Sequence, residues 1–118
     1  AGSRTTGLKH ARIPAGKRSS PLHCHSADEE LFVVLGGSGT LLLDGAEHPV
    51  AAGDVISRPP ATRVAHAFRG GPDGLELLLY GTREPNDMCF YPTSGKIALR
   101  GLGVIGRLEQ LDYWDGEA

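Results

Sequence analysis

The sequence predicts an all-β domain, and three observations support that prediction. The chain has 17 glycines and 8 prolines among 118 residues, a frequency typical of short strands joined by tight turns. It has no long segment with apolar residues at helical spacing. Hydrophobic residues make up 40% of the chain, enough for the core of one compact domain. We therefore expect residues 1–118 to form a single β-sandwich or barrel.

Charge and cysteine content exclude several classes of partner. The net charge is -2 with a pI near 6.2, and no cluster of Lys and Arg offers a surface for nucleic acid. No apolar segment approaches the ~20 residues of a membrane helix, and the N-terminus lacks a signal pattern. Cys24 and Cys89 are too few for a disulfide framework and should be free thiols. We expect a cytoplasmic protein that binds neither nucleic acid nor a membrane.

Turn residues divide the chain into short predicted strands. The first covers residues 8–13; His10 lies in it without an acidic or histidine neighbour at ligand spacing and is interpreted as an ordinary strand residue. Asp44 and Gly45 predict a type I′ hairpin turn, because both central positions of that turn need positive φ. The other predicted strands are 23–25, 30–35, 40–43, 46–50, 55–58, 64–69 and 75–80, and the predicted glycine-rich connections are 36–39 and 70–74.

Two histidines separated by one residue form the centre of the predicted site. In an extended strand His23 and His25 project to one side while Cys24 projects to the other. Residues 26–28 suit a turn, and a second strand folded beside the first would let Glu30 face the same point. Two imidazoles and a carboxylate suffice for a divalent ion such as zinc, iron, manganese, nickel or cobalt. The alternative is that two of the five histidines share a strand face without binding a metal.

The strand that begins at Glu30 is apolar on both faces. Phe32 and Val34 share the face of Glu30, and Leu31 and Leu35 lie on the opposite face. Residues 75–80 are similarly apolar on both faces, apart from one glutamate. One small barrel cannot cover all of these side chains, so we expect a terminal segment or a second subunit to cover them, and we predict a homodimer.

The strand of residues 64–69 carries another histidine in apolar surroundings. Val64, His66 and Phe68 share one face of this strand. This pattern suits either a buried core histidine or a metal ligand in an apolar pocket, and the residues alone leave both open.

The sequence changes character after Gly81. Residues 81–118 combine polar stretches with short apolar runs, which predicts an irregular C-terminal tail. Tyr113 and Trp114 stand together beside a charged terminus, so we expect the tail to pack on the barrel or on a partner subunit.

The segment of residues 16–37 resembles the first motif of the cupin superfamily. That motif has a glycine, five residues, His-x-His, three or four residues, a glutamate, six residues and a glycine. Here Gly16 is followed by six residues before His23, and four residues separate His25 from Glu30. Six more residues precede Gly37, so the match departs from the pattern only in its first spacing.

Residues 53–68 resemble the second cupin motif, a glycine, five residues, Pro-x-Gly, two residues and a histidine. Gly53 and Pro59 fit this pattern, but Ala61 replaces its second glycine and Val64 stands at its histidine position. His66 follows two residues later, which we interpret as a two-residue insertion in the loop.

The resemblance implies a double-stranded β-helix, the cupin jelly roll, with one divalent transition metal, Mn, Fe, Ni or Zn, bound inside it. The implied metal ligands are His23, His25, Glu30 and His66, and the implied pocket-lining residues are Phe32, Val34, Val64 and Phe68.

Three functions are compatible with such a site. Four protein ligands leave positions open on Mn, Fe or Ni, which suits a metal-dependent enzyme of dioxygenase, isomerase or lyase type acting on a small polar molecule. The alternative is a binding or sensor protein that holds a sugar or carboxylate without turnover, and a closed four-coordinate zinc would be structural. No residue is assigned to proton transfer; the candidates from tail and loops are Tyr91, Glu84, Asp87 and His48.

Overall fold

The computed structural model describes residues 2–117, and this part of the chain contains nine strands and one short 3₁₀ turn, Arg100–Leu102. The strands are β1 (Thr6–Ile13), β2 (Cys24–His25), β3 (Glu30–Leu43), β4 (Ala46–Ala51), β5 (Val55–Arg58), β6 (His66–Thr82), β7 (Met88–Tyr91), β8 (Lys96–Leu99) and β9 (Val104–Arg107). None of the described residues belongs to a helix with the length and apolar character needed to cross a membrane. The all-β prediction is confirmed.

Two antiparallel sheets form the two layers of the jelly roll. The larger sheet has the order β1-β6-β3-β4, with β5 also paired to β3. The smaller sheet has the order β2-β7-β8-β9. The strands of the smaller sheet come from both ends of the chain, since β2 pairs with β7 across more than 60 residues of sequence. The histidine segment and the tail therefore meet in one layer.

The turn between β3 and β4 follows directly from its two residues. Asp44 and Gly45 have φ angles of 51° and 75°, and Leu43 pairs with Ala46 on either side of them. These are the positive values that a type I′ turn requires. The predicted hairpin is confirmed.

The glycine-rich stretches lie inside long strands, and their prediction as connections was wrong. β3 runs for 14 residues through 36–39, with irregular pairing around Gly37, and β6 runs for 17 residues through 70–74. Glycine is needed there because neighbouring backbone comes very close. A Cβ added at Gly70 would lie 2.7 Å from the carbonyl oxygen of Ile13 and would also meet that of Pro14.

The hydrophobic core lies on the inner face of the larger sheet. Its buried members are Ile13, Phe32, Val34, Leu41, Val50, Phe68, Leu75 and Leu77. Alternation along β3 sends Phe32 and Val34 into this core and turns Leu31 and Leu35 outward, where they remain 38% and 45% exposed. The second apolar face predicted for this strand is therefore uncovered in the single chain.

The C-terminal region is more regular than the sequence indicated. β7, β8 and β9 build most of the smaller sheet, so residues 88–107 are an integral layer of the fold. Beyond them the chain is irregular, and Tyr113 and Trp114 are 89% and 69% exposed while their rings pack edge to face. These two aromatic side chains do not pack on the barrel of their own chain. Packing on a partner subunit stays a prediction.

Candidate metal centre

The two histidines of β2 reach the interior from the smaller sheet. His23 and His25 project to the same side, as the alternation predicts, because both line one cavity and Cys24 does not. The expected pairing of this strand with the strand of Glu30 was wrong, since β2 pairs with β7. Glu30 instead begins β3 in the larger sheet and faces His25 across the interior. The carboxylate and the imidazoles therefore approach one another from opposite layers.

His66 enters the same interior at the start of β6. Its backbone forms an isolated antiparallel bridge with His23, in which the His66 N–H donates to the His23 carbonyl oxygen at 2.9 Å. In the preceding loop Ala61 and Arg63 both have a φ of 61°. Ala61 thus adopts a left-handed conformation that favours glycine, at the motif position where a glycine is expected. The loop ends with His66 directed inward.

Four side chains converge on one point between the sheets. His25 Nε2 lies 2.6 Å from Glu30 Oε1, and His66 Nε2 lies 4.0 Å from that same oxygen. Ligand atoms of His23, Glu30 and His66 lie within 4.8 Å of one another, and His25 adjoins this group through its contact with Glu30. Ligands that bind one metal at about 2.0–2.2 Å must lie within about 4.4 Å of one another, so the cluster is close to the size of a metal site.

Two buried atoms of this cluster have unmet bonding capacity. Among the described residues, His66 Nε2 has no hydrogen-bond partner, and Glu30 Oε1 has none apart from its 2.6 Å contact with His25. Leaving an atom such as His66 Nε2 unpaired in the interior costs about 1–3 kcal/mol. A divalent cation between the two atoms would satisfy both, and imidazole and carboxylate together suit Mn, Fe, Ni or Zn. The residues present therefore fit a bound metal.

The electrostatics of the histidines also favour metal ligation. Burial, together with the neighbouring His23, lowers the pKa of His66 to about 4, so its imidazole is neutral at pH 7. Burial opposes protonation of His25 too, but the carboxylates of Glu30 and Asp87 outweigh it and raise the His25 pKa to about 9. Contact with His25 likewise lowers the Glu30 pKa despite burial. A metal would replace the proton that His25 holds.

Hydrogen bonds fix the ring orientation of both histidines of β2. The His23 Nδ1–H donates to the Pro21 carbonyl oxygen at 2.8 Å, and the His25 Nδ1–H donates to Asp87 Oδ2 at 2.6 Å. Each ring therefore keeps Nε2 for the central point. This is the usual arrangement around a metal, where a second hydrogen bond sets the tautomer of each ligating histidine.

Asp87, which the sequence offered only as one of four unplaced candidates, is the carboxylate that contacts His25. Its Oδ1 accepts hydrogen bonds from the backbone N–H groups of Ala27 and Asp28 at 2.9 and 3.0 Å. Burial opposes ionisation of Asp87, but the hydrogen bonds from His25 and from these N–H groups lower its pKa. Sixty-two residues separate Asp87 from His25, so no local pattern in the sequence links them.

A cavity of about 400 Å³ opens from the four converging side chains to the surface, and we call it the main cavity. Phe32 and Phe68 are among the residues that line it. Val34 lies deeper in the core, and Val64 lines a separate small cavity behind His66. The predicted alternation fails at Val64 because the left-handed residue before it breaks the extended conformation. The mouth of the main cavity carries the basic side chains Lys9, Arg83 and Arg100.

A second cavity lies on the other side of His23 and His25. Its lining includes Asp87, Cys89 and Tyr91. Burial raises the pKa of the Cys89 thiol to about 11, and the contact with Cys89 raises the pKa of Tyr91 to about 12. Both groups are therefore neutral at pH 7.

The remaining candidates lie away from the centre. Glu84 and His48 have exposed side chains outside the cavity lining, although the Glu84 backbone N–H donates to Asp28. His10 lies at the surface, where its Nε2 is 2.8 Å from Glu76 Oε1. Of the four proton-transfer candidates, only Asp87 and Tyr91 adjoin the histidines.

Similar proteins match both the sequence and the fold. An uncharacterized protein of Methanocaldococcus jannaschii is 38% identical over 55 residues, covering 47% of this chain and 43% of the archaeal protein, so the match spans less than half of that relative. A structure from Acidithiobacillus ferrooxidans, proposed to be a sugar phosphate isomerase, is 33% identical with a TM-score of 0.82 and covers 89% of this chain and 67% of its own. A sugar phosphate isomerase from Silicibacter pomeroyi is 27% identical with a TM-score of 0.84. The match covers 90% of this chain and 69% of the isomerase chain.

Other solved structures share the fold alone. Salicylate 1,2-dioxygenase from Pseudoaminobacter salicylatoxidans is 18% identical with a TM-score of 0.57, and the match covers 65% of this chain and 20% of the dioxygenase chain.

The sequence model of the cupin domain family matches residues 9–79, more than half of the chain, and this range contains all four converging side chains. The chain therefore belongs to the cupin family.

Proposed function

We propose that the protein is a metal-dependent enzyme of isomerase type that acts on a small polar molecule, with the metal held by His23, His25, Glu30 and His66. The observation that supports this most directly is the buried His66 Nε2, which has no hydrogen-bond partner, beside the Glu30 carboxylate at the base of a cavity open to solvent. A purely structural metal would not need such a cavity, whereas a substrate would.

The side chains around the centre have distinct roles in this proposal. A metal bound there would act as a Lewis acid that polarises a carbonyl or hydroxyl oxygen of the substrate. Asp87 holds His25 in the ligating orientation through the 2.6 Å hydrogen bond. Phe32 and Phe68 form an apolar wall that excludes water from the bound molecule.

The comparison with known structures favours an isomerase over a dioxygenase. The two relatives that cover about nine-tenths of this chain are named as sugar phosphate isomerases, one of them as a proposal. The dioxygenase is under 20% identical and supports only the fold. Because the sequence is compatible with both chemistries, the experiment must distinguish them.

Metal binding is the first test of the proposal. Elemental analysis of the purified protein should find about one transition metal per chain, as one four-ligand site implies. His25→Ala and His66→Ala should both lose most of this metal, and His10→Ala, which changes a surface histidine, should retain it. Full metal retention by His66→Ala with loss in His25→Ala would show that the loop before His66 was misinterpreted.

Turnover is the second test. The metal-free protein would be reloaded separately with Mn, Fe, Ni and Zn and incubated with aldose and ketose phosphates in D₂O. An isomerase should incorporate deuterium beside the carbonyl group, which NMR detects as loss of that proton signal. Oxygen uptake with a substrate would indicate a dioxygenase instead, and binding without any turnover would indicate a ligand-binding protein.

A further inference from the structure

Two of the three basic side chains at the mouth of the main cavity lack an acidic partner. Arg100 lies 2.7 Å from the buried Asp28 carboxylate and also donates to the Glu84 carbonyl oxygen at 2.9 Å, so its charge is compensated. Within residues 2–117, neither Lys9 nor Arg83 forms an ion pair with a carboxylate. The cavity therefore carries two uncompensated positive charges beside the site for a divalent cation.

Lys9 is directed toward the cavity by the alternation of β1. Gly7, Lys9 and Ile13 occupy the inner face of this strand, and Ile13 at its far end is buried in the core. β1 is an edge strand, and an inward-pointing lysine on an edge strand could simply prevent that strand from pairing with other chains. That role would not require a second basic side chain at the same place.

Arg83 occupies space that a glycine leaves free. A Cβ added at Gly7 would lie 2.6 Å from Arg83 Nη2 and would also meet Nε, so the guanidinium lies flat across the backbone of Gly7. The backbone N–H of Arg83 donates to the Thr5 carbonyl oxygen at 2.8 Å. This bond holds the arginine backbone beside the N-terminal end of β1. Any other residue at position 7 would displace the guanidinium from the cavity wall.

The two basic side chains line the cavity at neighbouring positions along β1. Gly7 and Lys9 are two residues apart on the same face, a distance of roughly 7 Å along an extended strand. Arg83 lies on Gly7 and Lys9 lines the same cavity, so the flexible lysine side chain can reach an oxyanion that is bound at the guanidinium. A planar guanidinium binds phosphate or carboxylate oxygens in pairs, and a lysine ammonium adds a point charge.

We propose that Lys9 and Arg83 form an anion subsite that binds the phosphate or carboxylate group of the ligand whose polar end faces His23, His25, Glu30 and His66. This inference rests on the proposed function, because it takes the main cavity as the ligand site. The ligand is then a small oxygen-bearing molecule with an anionic group at one end, extending from the centre along the apolar wall to the mouth. The cavity volume of about 400 Å³ suits a molecule of that class.

The test uses metal-free protein, so that a probe cannot bind the metal. Isothermal titration with inorganic phosphate at low ionic strength should detect binding to the unaltered chain, and parallel titration with acetate would show whether a carboxylate also occupies the subsite. Arg83→Gln and Lys9→Gln should each weaken phosphate binding at least tenfold, as expected for loss of a charge-assisted hydrogen bond. Arg12→Gln is the matched control, since it removes the same charge from the outer face of the same strand.

Gly7→Ala supplies a test that does not change charge. The three atoms nearest to the added methyl group all belong to the end of the flexible Arg83 side chain, so the fold and its melting temperature should be retained while phosphate binding falls. Equal phosphate affinity in Arg83→Gln, Lys9→Gln, Gly7→Ala and Arg12→Gln would overturn the subsite. Absence of phosphate binding by the unaltered chain would overturn it too.

Metal analysis separates this inference from the proposed function. The Lys9→Gln and Arg83→Gln proteins should hold as much metal as the unaltered chain, because neither residue contacts the four proposed ligands. Full metal content without a subsite effect would refute only the anion subsite. Specific phosphate binding in a chain that never acquires metal would refute the proposed metal-dependent enzyme and retain the subsite.

Discussion

His25 connects the proposed ligands to the rest of the fold. One of its nitrogens faces Glu30 and the other donates to Asp87, each at 2.6 Å. Asp87 in turn holds the backbone of Ala27 and Asp28, the turn that separates β2 from β3. A single buried carboxylate thus sets both the ring of one proposed ligand and the turn that precedes another.

Asp87→Asn should lower metal affinity about 10–100-fold, the usual cost of removing the hydrogen-bonded partner of a ligating histidine. The amide keeps the shape of the side chain but loses the negative charge that faces His25. Competition with a chelator measures the affinity, and Asp54→Asn, which alters a carboxylate in an exposed turn, is the control. Unchanged affinity in a folded Asp87→Asn protein would contradict the positioning role.

The two histidines with shifted pKa values predict how the stability of the metal-free protein depends on pH. The His25 pKa is raised from 6.5 to about 9. The stability that protonated His25 contributes to the folded state is therefore complete below pH 6.5 and is lost as pH rises toward 9. The His66 pKa is lowered from 6.5 to about 4, so stability is lost as pH falls from 6.5 toward 4. The melting temperature of the metal-free protein should therefore be highest near pH 6.5. His66→Gln should flatten the acid side of the profile, and an unaltered acid side would contradict this assignment.

At the scale of elements, the long strands β3 and β6 form the central pair of the larger sheet. They pair along most of their length, and irregular pairing near Gly37 bends them between the two halves of the sheet. Glycines are needed in these strands because other backbone segments cross them closely, as Ile13 and Pro14 do at Gly70. Glycine content therefore reflects close packing of strands as well as turns.

Gly70→Ala should destabilise the protein by about 1–3 kcal/mol, the usual cost of an overpacked site. The added methyl group meets backbone carbonyl oxygens of Ile13 and Pro14, which cannot move aside as a side chain could. Gly106→Ala is the control, because no atom lies within 4 Å of its added Cβ. Chemical denaturation measures both changes, and equal stability of the two variants would show that β6 can shift at Gly70.

At the scale of the whole molecule, the larger sheet leaves an apolar outer face. Leu8 in β1 pairs with Tyr80 in β6, and Tyr80 pairs with Leu31 in β3, so three exposed apolar side chains form a row across the sheet. Contiguous exposed apolar surface on a small domain marks an interaction site. Such a face, repeated on an identical chain, suits an isologous contact.

We therefore predict that the protein is a homodimer through this face. Light scattering at micromolar concentration should give twice the chain mass of 12.5 kDa. Leu31→Glu should yield a folded monomer, because it places a charge within the apolar row. Leu102→Glu alters an exposed leucine outside this row and should remain dimeric. A monomeric mass for the unaltered chain would reject the dimer.

Local chemistry in the sequence determined the strand character, the hairpin at Asp44 and the shared face of His23 and His25. These features depend on side-chain alternation and turn geometry between close neighbours, which a sequence states directly. Only the tertiary structure decided that Glu30 faces His25 from the opposite sheet and that Asp87, 62 residues away, orients it. Those contacts depend on which strands pair and how two layers pack, and no spacing along the chain encodes that choice.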